Sequence, residues 1–211
     1  TPVTEGVEGN PIEISAVITD ESGVEEAVLY YRKGSDADYL SLVMATAGAD
    51  TYTATIPASF VDAETIEYYI FASDGVNEAT HPSLAPTSSP HVVDVNLYPD
   101  PVALYEPTSG AVSTDSIELT WSESNEADFR NYMVYLSGSE GVLGDDVEEI
   151  TERTETSHTV EELEPGTTYY FTVRVYDTGG LYADSTQLEV GTAVRRVFWS
   201  TYSFVFLLLL L

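Results

Sequence analysis

The sequence predicts an all-β protein: two tandem antiparallel β-sandwiches, residues 1–97 and 98–194, followed by a short hydrophobic C-terminal segment, 195–211. Three observations carry that reading. Apolar residues recur with a period of two in short runs closed by Gly, Pro, Asn or Asp, the pattern of half-buried strands between tight turns. The stretch Leu163–Tyr176 holds a turn, a corner and a strand in unbroken order. Finally, 211 residues suffice for two sandwiches of roughly 100 residues, each closing its own core.

In the first half, Thr1–Asn10 is polar and reads as a linker or edge strand, closed by the turn signal Gly9-Asn10-Pro11. Ile12, Ile14, Ala16 and Ile18 then share one face of a strand. After the turn Asp20–Gly23, Val24–Lys33 forms the next strand and Tyr39–Met44 pairs back on it as a hairpin. Thr51–Ile56 alternates cleanly up to Pro57, and Ala58–Ala63 makes a corner with room for one helical turn. Thr65–Ser73 is the strongest strand of this half and stops at Asp74-Gly75. Asn77–Thr80 and His91–Val95 supply the last strands, separated by the Pro/Ser-rich loop Pro82–Pro90, which cannot sit inside a sheet. This order of strands and turns resembles the immunoglobulin-like modules repeated in secreted microbial proteins.

Leu97–Pro107 is the junction, stiffened by Pro99 and Pro101. Ile117–Trp121 and Tyr132–Leu136 follow as strands, Gly138–Glu149 as an enlarged acidic loop, and Thr156–Val160 as a further strand. In Leu163–Tyr176, Pro165 fixes φ and Gly166 permits the positive φ of a tight turn. Beyond it Tyr169, Phe171, Val173 and Val175 fall on one face, with Thr172, Arg174 and Tyr176 on the other. Ser185–Val190 is the last strand. The spacing Leu163-x-Pro165-Gly166-Thr167-x-Tyr169 and the strand after it resemble a fibronectin type III domain. The resemblance covers about residues 98–194 and implies a buried Trp121 and a Tyr169 hydroxyl bonded to nearby backbone. It implies no ligand, since this superfold hosts many functions.

Charge narrows the partners. Thirty-six acids stand against seven bases, a net charge of −29, with sixteen acids and two bases in 1–97 and twenty and three in 98–194. A surface this acidic repels phosphates and excludes nucleic acid as a partner. The simplest role of the acidity is solubility in an ion-rich exterior; the sharper one is divalent cation binding. The two loops at the pole where the chain enters each sandwich gather carboxylates: Asp20, Glu21 and Asp74 in the first half, Glu123, Glu126, Asp128 and Asp177 in the second, with Asp100 of the junction beside them. Asp100, Glu123, Asp128 and Asp177 are the candidate calcium ligands, although no EF-hand spacing is present.

No other chemistry is legible. The chain has no cysteine, so it holds neither a disulfide nor a thiolate metal site. His81, His91 and His158 lack the clustering a zinc site needs, and no nucleophile elbow, phosphate loop or dinucleotide fingerprint occurs. The acidic pairs Asp145-Asp146 and Glu148-Glu149 crowd one loop instead of facing each other across a cleft, as a glycosidase dyad would.

The end of the chain departs from the rest. Arg195-Arg196 precedes Val197–Leu211, an acid-free run with Phe198, Trp199, Tyr202, Phe204 and Phe206 followed by five leucines. Fifteen residues as a helix reach about 22 Å, short of the ~30 Å hydrocarbon core, so membrane or a neighbouring subunit is expected to cover them. Together these features predict a non-enzymatic extracellular or cell-surface module, without a cofactor, serving as spacer, adhesion or assembly unit. Two alternatives stand beside it. One is a homopolymeric filament subunit that self-associates by strand or tail insertion. The other is a glycan-binding accessory region of a secreted hydrolase, with Trp199 and exposed tyrosines as stacking platforms.

Overall fold

The computed structural model describes residues 1–83 and 89–196. The chain divides into two compact units, Thr1–Tyr98 and Pro99–Leu211. Their described residues are all-β, with a single 3₁₀ turn at Ala58–Phe60 after Pro57. The segment Val197–Leu211, Trp199 included, lies outside the described residues.

The first unit contains nine strands: β1 (Glu5–Val7), β2 (Ile12–Val17), β3 (Glu26–Lys33), β4 (Leu40–Val43), β5 (Ala45–Thr46), β6 (Thr51–Ile56), β7 (Thr65–Ser73), β8 (Glu78–His81) and β9 (His91–Asn96). One sheet runs β1-β9-β7-β3-β4, with β8 also paired to β7; the other runs β2-β6-β5. The edge strand read in Thr1–Asn10 is β1, which lies parallel to β9 with Glu5 opposite Asp94. The β3–β4 hairpin forms as the alternation predicts, pairing Val28 with Val43 and Tyr31 with Leu40. Period-two patterning sets which residues face inward. Ile12 and Ile14 of β2, Leu29 and Tyr31 of β3, Ile66, Tyr68 and Ile70 of β7, and Val93 and Val95 of β9 are buried against one another between the sheets.

The second unit adds β10 (Leu104–Tyr105), β11 (Ile117–Trp121), β12 (Phe129–Ser137), β13 (Asp145–Ile150), β14 (Ser157–Val160), β15 (Thr168–Asp177), β16 (Tyr182–Asp184) and β17 (Leu188–Gly191). Its sheets are β10-β11-β14 and β13-β12-β15-β16, with β17 also on β15. Leu119, Trp121, Tyr132, Val134, Phe171, Val173 and Val175 fill the space between them.

Two expectations are corrected here. The acidic loop ends early, because Asp145–Ile150 is a strand paired to β12, with Glu148 opposite Val134. Carboxylates disfavour strands in general, but this is an edge strand whose acids face water while Ile150 is buried, and charge on an edge discourages further pairing. Gly144 makes the turn into it. Its φ of 80° is left-handed, and a Cβ there would collide with the Leu136 carbonyl. The last strand is also shorter than the expected Ser185–Val190: it begins at Leu188, after a break that separates it from β16, which pairs with β15 as well. At the break, Ser185 Oγ accepts the N–H of Val173 at 3.0 Å, so a side chain takes over one rung of the ladder.

Candidate functional site

The first unit carries a groove of about 590 Å³ along the side of the sandwich where β2 ends one sheet and β8 ends the other. Ile14, Ala16 and Ile18 line it from the β2 side, and Ile70, Ala72 and Ala79 from β7 and β8. Its polar rim is Ser15, Thr80, His81 and His91. At one end Tyr68 accepts the N–H of Val3 at 3.0 Å, holding the N-terminal segment against the wall.

His81 and His91 meet at this rim, a pairing that their ten-residue separation gives no reason to expect. Nε2 of His91 lies 2.7 Å from Nδ1 of His81, and the rings stack at 4.7 Å. The cause is register: β8 and β9 both pair with β7, setting His81 opposite Ile70 and His91 opposite Tyr68. Burial, and secondarily the neighbouring His81, lower the His91 pKa below its ordinary value. His158 sits apart, on β14 in the second unit opposite Leu119.

The candidate calcium ligands occupy different roles. Asp177 is buried at 1% exposure and closes the β15–β16 turn, its Oδ1 accepting the Leu181 N–H at 2.7 Å. Asp128 contributes its backbone carbonyl to Thr178, and Asp100 donates its N–H to Glu126 Oε1. Glu123 is exposed beside the Tyr132 phenol. Among the described residues, no three histidine, aspartate or glutamate side chains are grouped to hold a metal ion, so Asp100, Glu123, Asp128 and Asp177 do not gather into a shell. In the first unit Asp74 is likewise committed to its own turn. It accepts the N–H groups of Val76 at 2.9 Å and Asn77 at 2.5 Å, and these bonds hold its pKa below the ordinary value.

The corner of the second unit has the form its motif implies. Gly166 adopts φ 67°, and the Tyr169 hydroxyl accepts the N–H of Glu164 at 2.9 Å. The family model for the fibronectin type III domain matches residues 105–191. Residues 105–191 form a fibronectin type III domain.

Solved structures with similar folds include one of titin domains, 20% identical over 90% of this chain and 62% of that one, with a TM-score of 0.47. The FN1-FN3 domains of chicken CNTN1 are 13% identical over 91% of this chain and 65% of theirs, at TM-score 0.39. The fibronectin(III)-like modules of Clostridium thermocellum CbhA are 19% identical over 92% of both chains, at TM-score 0.41. This chain thus spans less than two thirds of the titin and CNTN1 structures. No curated protein is significantly similar to it.

On the outer face of the fibronectin type III domain, Arg174 stacks 3.7 Å above the Tyr182 ring and binds Asp184 through Nε at 2.6 Å and Nη2 at 2.9 Å. Its Nη1 donates to the Tyr176 hydroxyl, 3.5 Å from that of Tyr135. Burial, then the Tyr176 hydroxyl, push Tyr135 up to about 12. Burial alone would raise Tyr176, but the guanidinium and the Tyr135 hydroxyl outweigh it and lower its pKa. The first unit repeats the device: Arg32 lies 4.4 Å from the Tyr39 centroid and pairs with Glu67 at 2.6 Å, beside the stacked Tyr30 and Tyr69. Sequence reasoning missed both clusters. The signal is an arginine on β3 and another on β15, each with a tyrosine two residues away, Tyr30 and Tyr176.

Proposed function

We propose that this chain is a non-catalytic structural module of an extracellular or cell-surface protein, acting as a spacer or assembly unit. The supporting observation is the repetition of one architecture: two sandwiches in tandem, each with its own apolar core and an arginine–carboxylate–tyrosine cluster on its outer face. In both clusters the charged groups are spent on each other, which stiffens a sheet without creating a reactive group. The fibronectin type III fold is common to extracellular structural modules and to accessory domains of hydrolases, and it is typically non-catalytic.

Glycan binding is the second reading, favoured by Tyr182, which is 43% exposed on the outer face. One face of its ring is already covered by Arg174, which leaves a single side for a sugar. The experiment is immunogold labelling of intact and permeabilised source cells with antibody to the full chain. Label at the surface of intact cells supports the structural reading; label only after permeabilisation contradicts it.

A further inference from the structure

We propose that the groove beside β2 receives the C-terminal segment of a second copy of this chain as an added strand. The inference deepens the assembly reading above. Its first observation is an edge: among the described residues β2 pairs only with β6, so one side of its backbone has no ladder partner. The second unit shows what the fold places there. Its β10 pairs antiparallel with β11 on the side away from β14, and Leu104 of β10 packs against the core. In the first unit that position is the 590 Å³ groove, floored by apolar side chains of both sheets and bordered by an unpaired edge. An open edge above an apolar floor is the geometry that strand addition satisfies, since backbone bonds supply affinity and alternate side chains fill the floor.

The occupant is argued from the chain beyond the described residues. Val197–Leu211 contains no acid and is rich in the aromatic and β-branched residues that favour strands. As a strand it would set Tyr202, Phe204 and Phe206 on one face and Thr201, Ser203 and Val205 on the other. The first face suits the apolar floor, and the second leaves two hydroxyls toward water. Arg195-Arg196 then lies at the entry, against a unit with sixteen acids and two bases. Each copy offers one groove and one tail, so the contact is head-to-tail and extends into chains.

Because the protein has no cysteine, disulfide trapping reads the contact directly. Full chains bearing Ser15→Cys, on the outer face of β2, are mixed in turn with Thr201→Cys, Ser203→Cys and Val205→Cys chains under mild oxidation. One of the three is expected to give the mixed dimer as the dominant product. Val43→Cys, on the exposed face of β4, gives only background with any of them. Circular dichroism identical to that of the parent chain establishes that each variant is folded. No mixed dimer, tail-to-tail disulfides only, equal yield from Val43→Cys, or trapping abolished by lipid vesicles that bind the tail would overturn the proposal. Cell-surface labelling does not depend on this contact, so failure here is distinct from failure of the structural reading.

Discussion

The hydroxyl of Tyr132 accepts the backbone N–H of Ser124 at 2.7 Å. It also donates to the Arg153 carbonyl at 3.0 Å, and the ring is fully buried, so one phenol ties two loops to the core. Tyr132→Phe strands a buried N–H and is expected to cost about 1–3 kcal/mol. Tyr169→Phe breaks an exposed bond to Glu164 and is expected to cost about 1 kcal/mol or less. Urea midpoints rank the two: equal or reversed losses would contradict the assignment of Tyr132 as the deeper tie.

Trp121 is 3% exposed and packs edge-on against Tyr132 at 5.7 Å. Trp121→Ala should cost roughly 3–5 kcal/mol by opening a cavity. Its Nε1 is buried without a hydrogen-bond partner, so Trp121→Phe removes an unsatisfied donor along with the volume and should cost clearly less. Equal losses would show that the indole N–H is satisfied in solution.

The pH dependence of the first unit should run through His91. Its pKa is lowered by burial and by His81, so the folded state binds its proton less readily than the unfolded chain does. That contribution is complete above the ordinary value of 6.5 and is lost as pH falls through 6.5 toward the folded pKa. Melting temperatures of the parent and His91→Gln should therefore diverge from about pH 8 to pH 5, the parent losing more. Parallel curves would remove the histidine pair as a cause.

With a net charge of −29, added salt should raise the melting temperature by screening self-repulsion. Since no three carboxylates among the described residues are grouped so as to hold a metal ion, calcium should shift it no further than monovalent salt at matched ionic strength. A calcium-specific rise that Asp177→Asn abolishes would show instead that the carboxylates around that buried side chain converge in solution.

What the sequence made legible was the part of the fold written in alternation. Thr51–Ile56, Thr65–Ser73 and Ile117–Trp121 have the bounds their periodicity predicts, since each has one face in the core and one in water. Asp145–Ile150 was hidden because its pairing partner, not its composition, makes it a strand, with Val147 and Ile150 as its apolar trace. The His81–His91 contact and the β2 groove were hidden for a different reason. Both depend on which strands share a neighbour, a property of register and sheet order that spacing along the chain does not encode.

The central claim, that each sandwich is a structural module held by its own core, is tested most directly by pulling on the full chain between handles at its two ends. The account predicts two discrete unfolding events, each releasing about 30 nm at ~3.5 Å per extended residue for a unit the size of Thr1–Tyr98. A single event of twice that length, or smooth extension without a force peak, would contradict it.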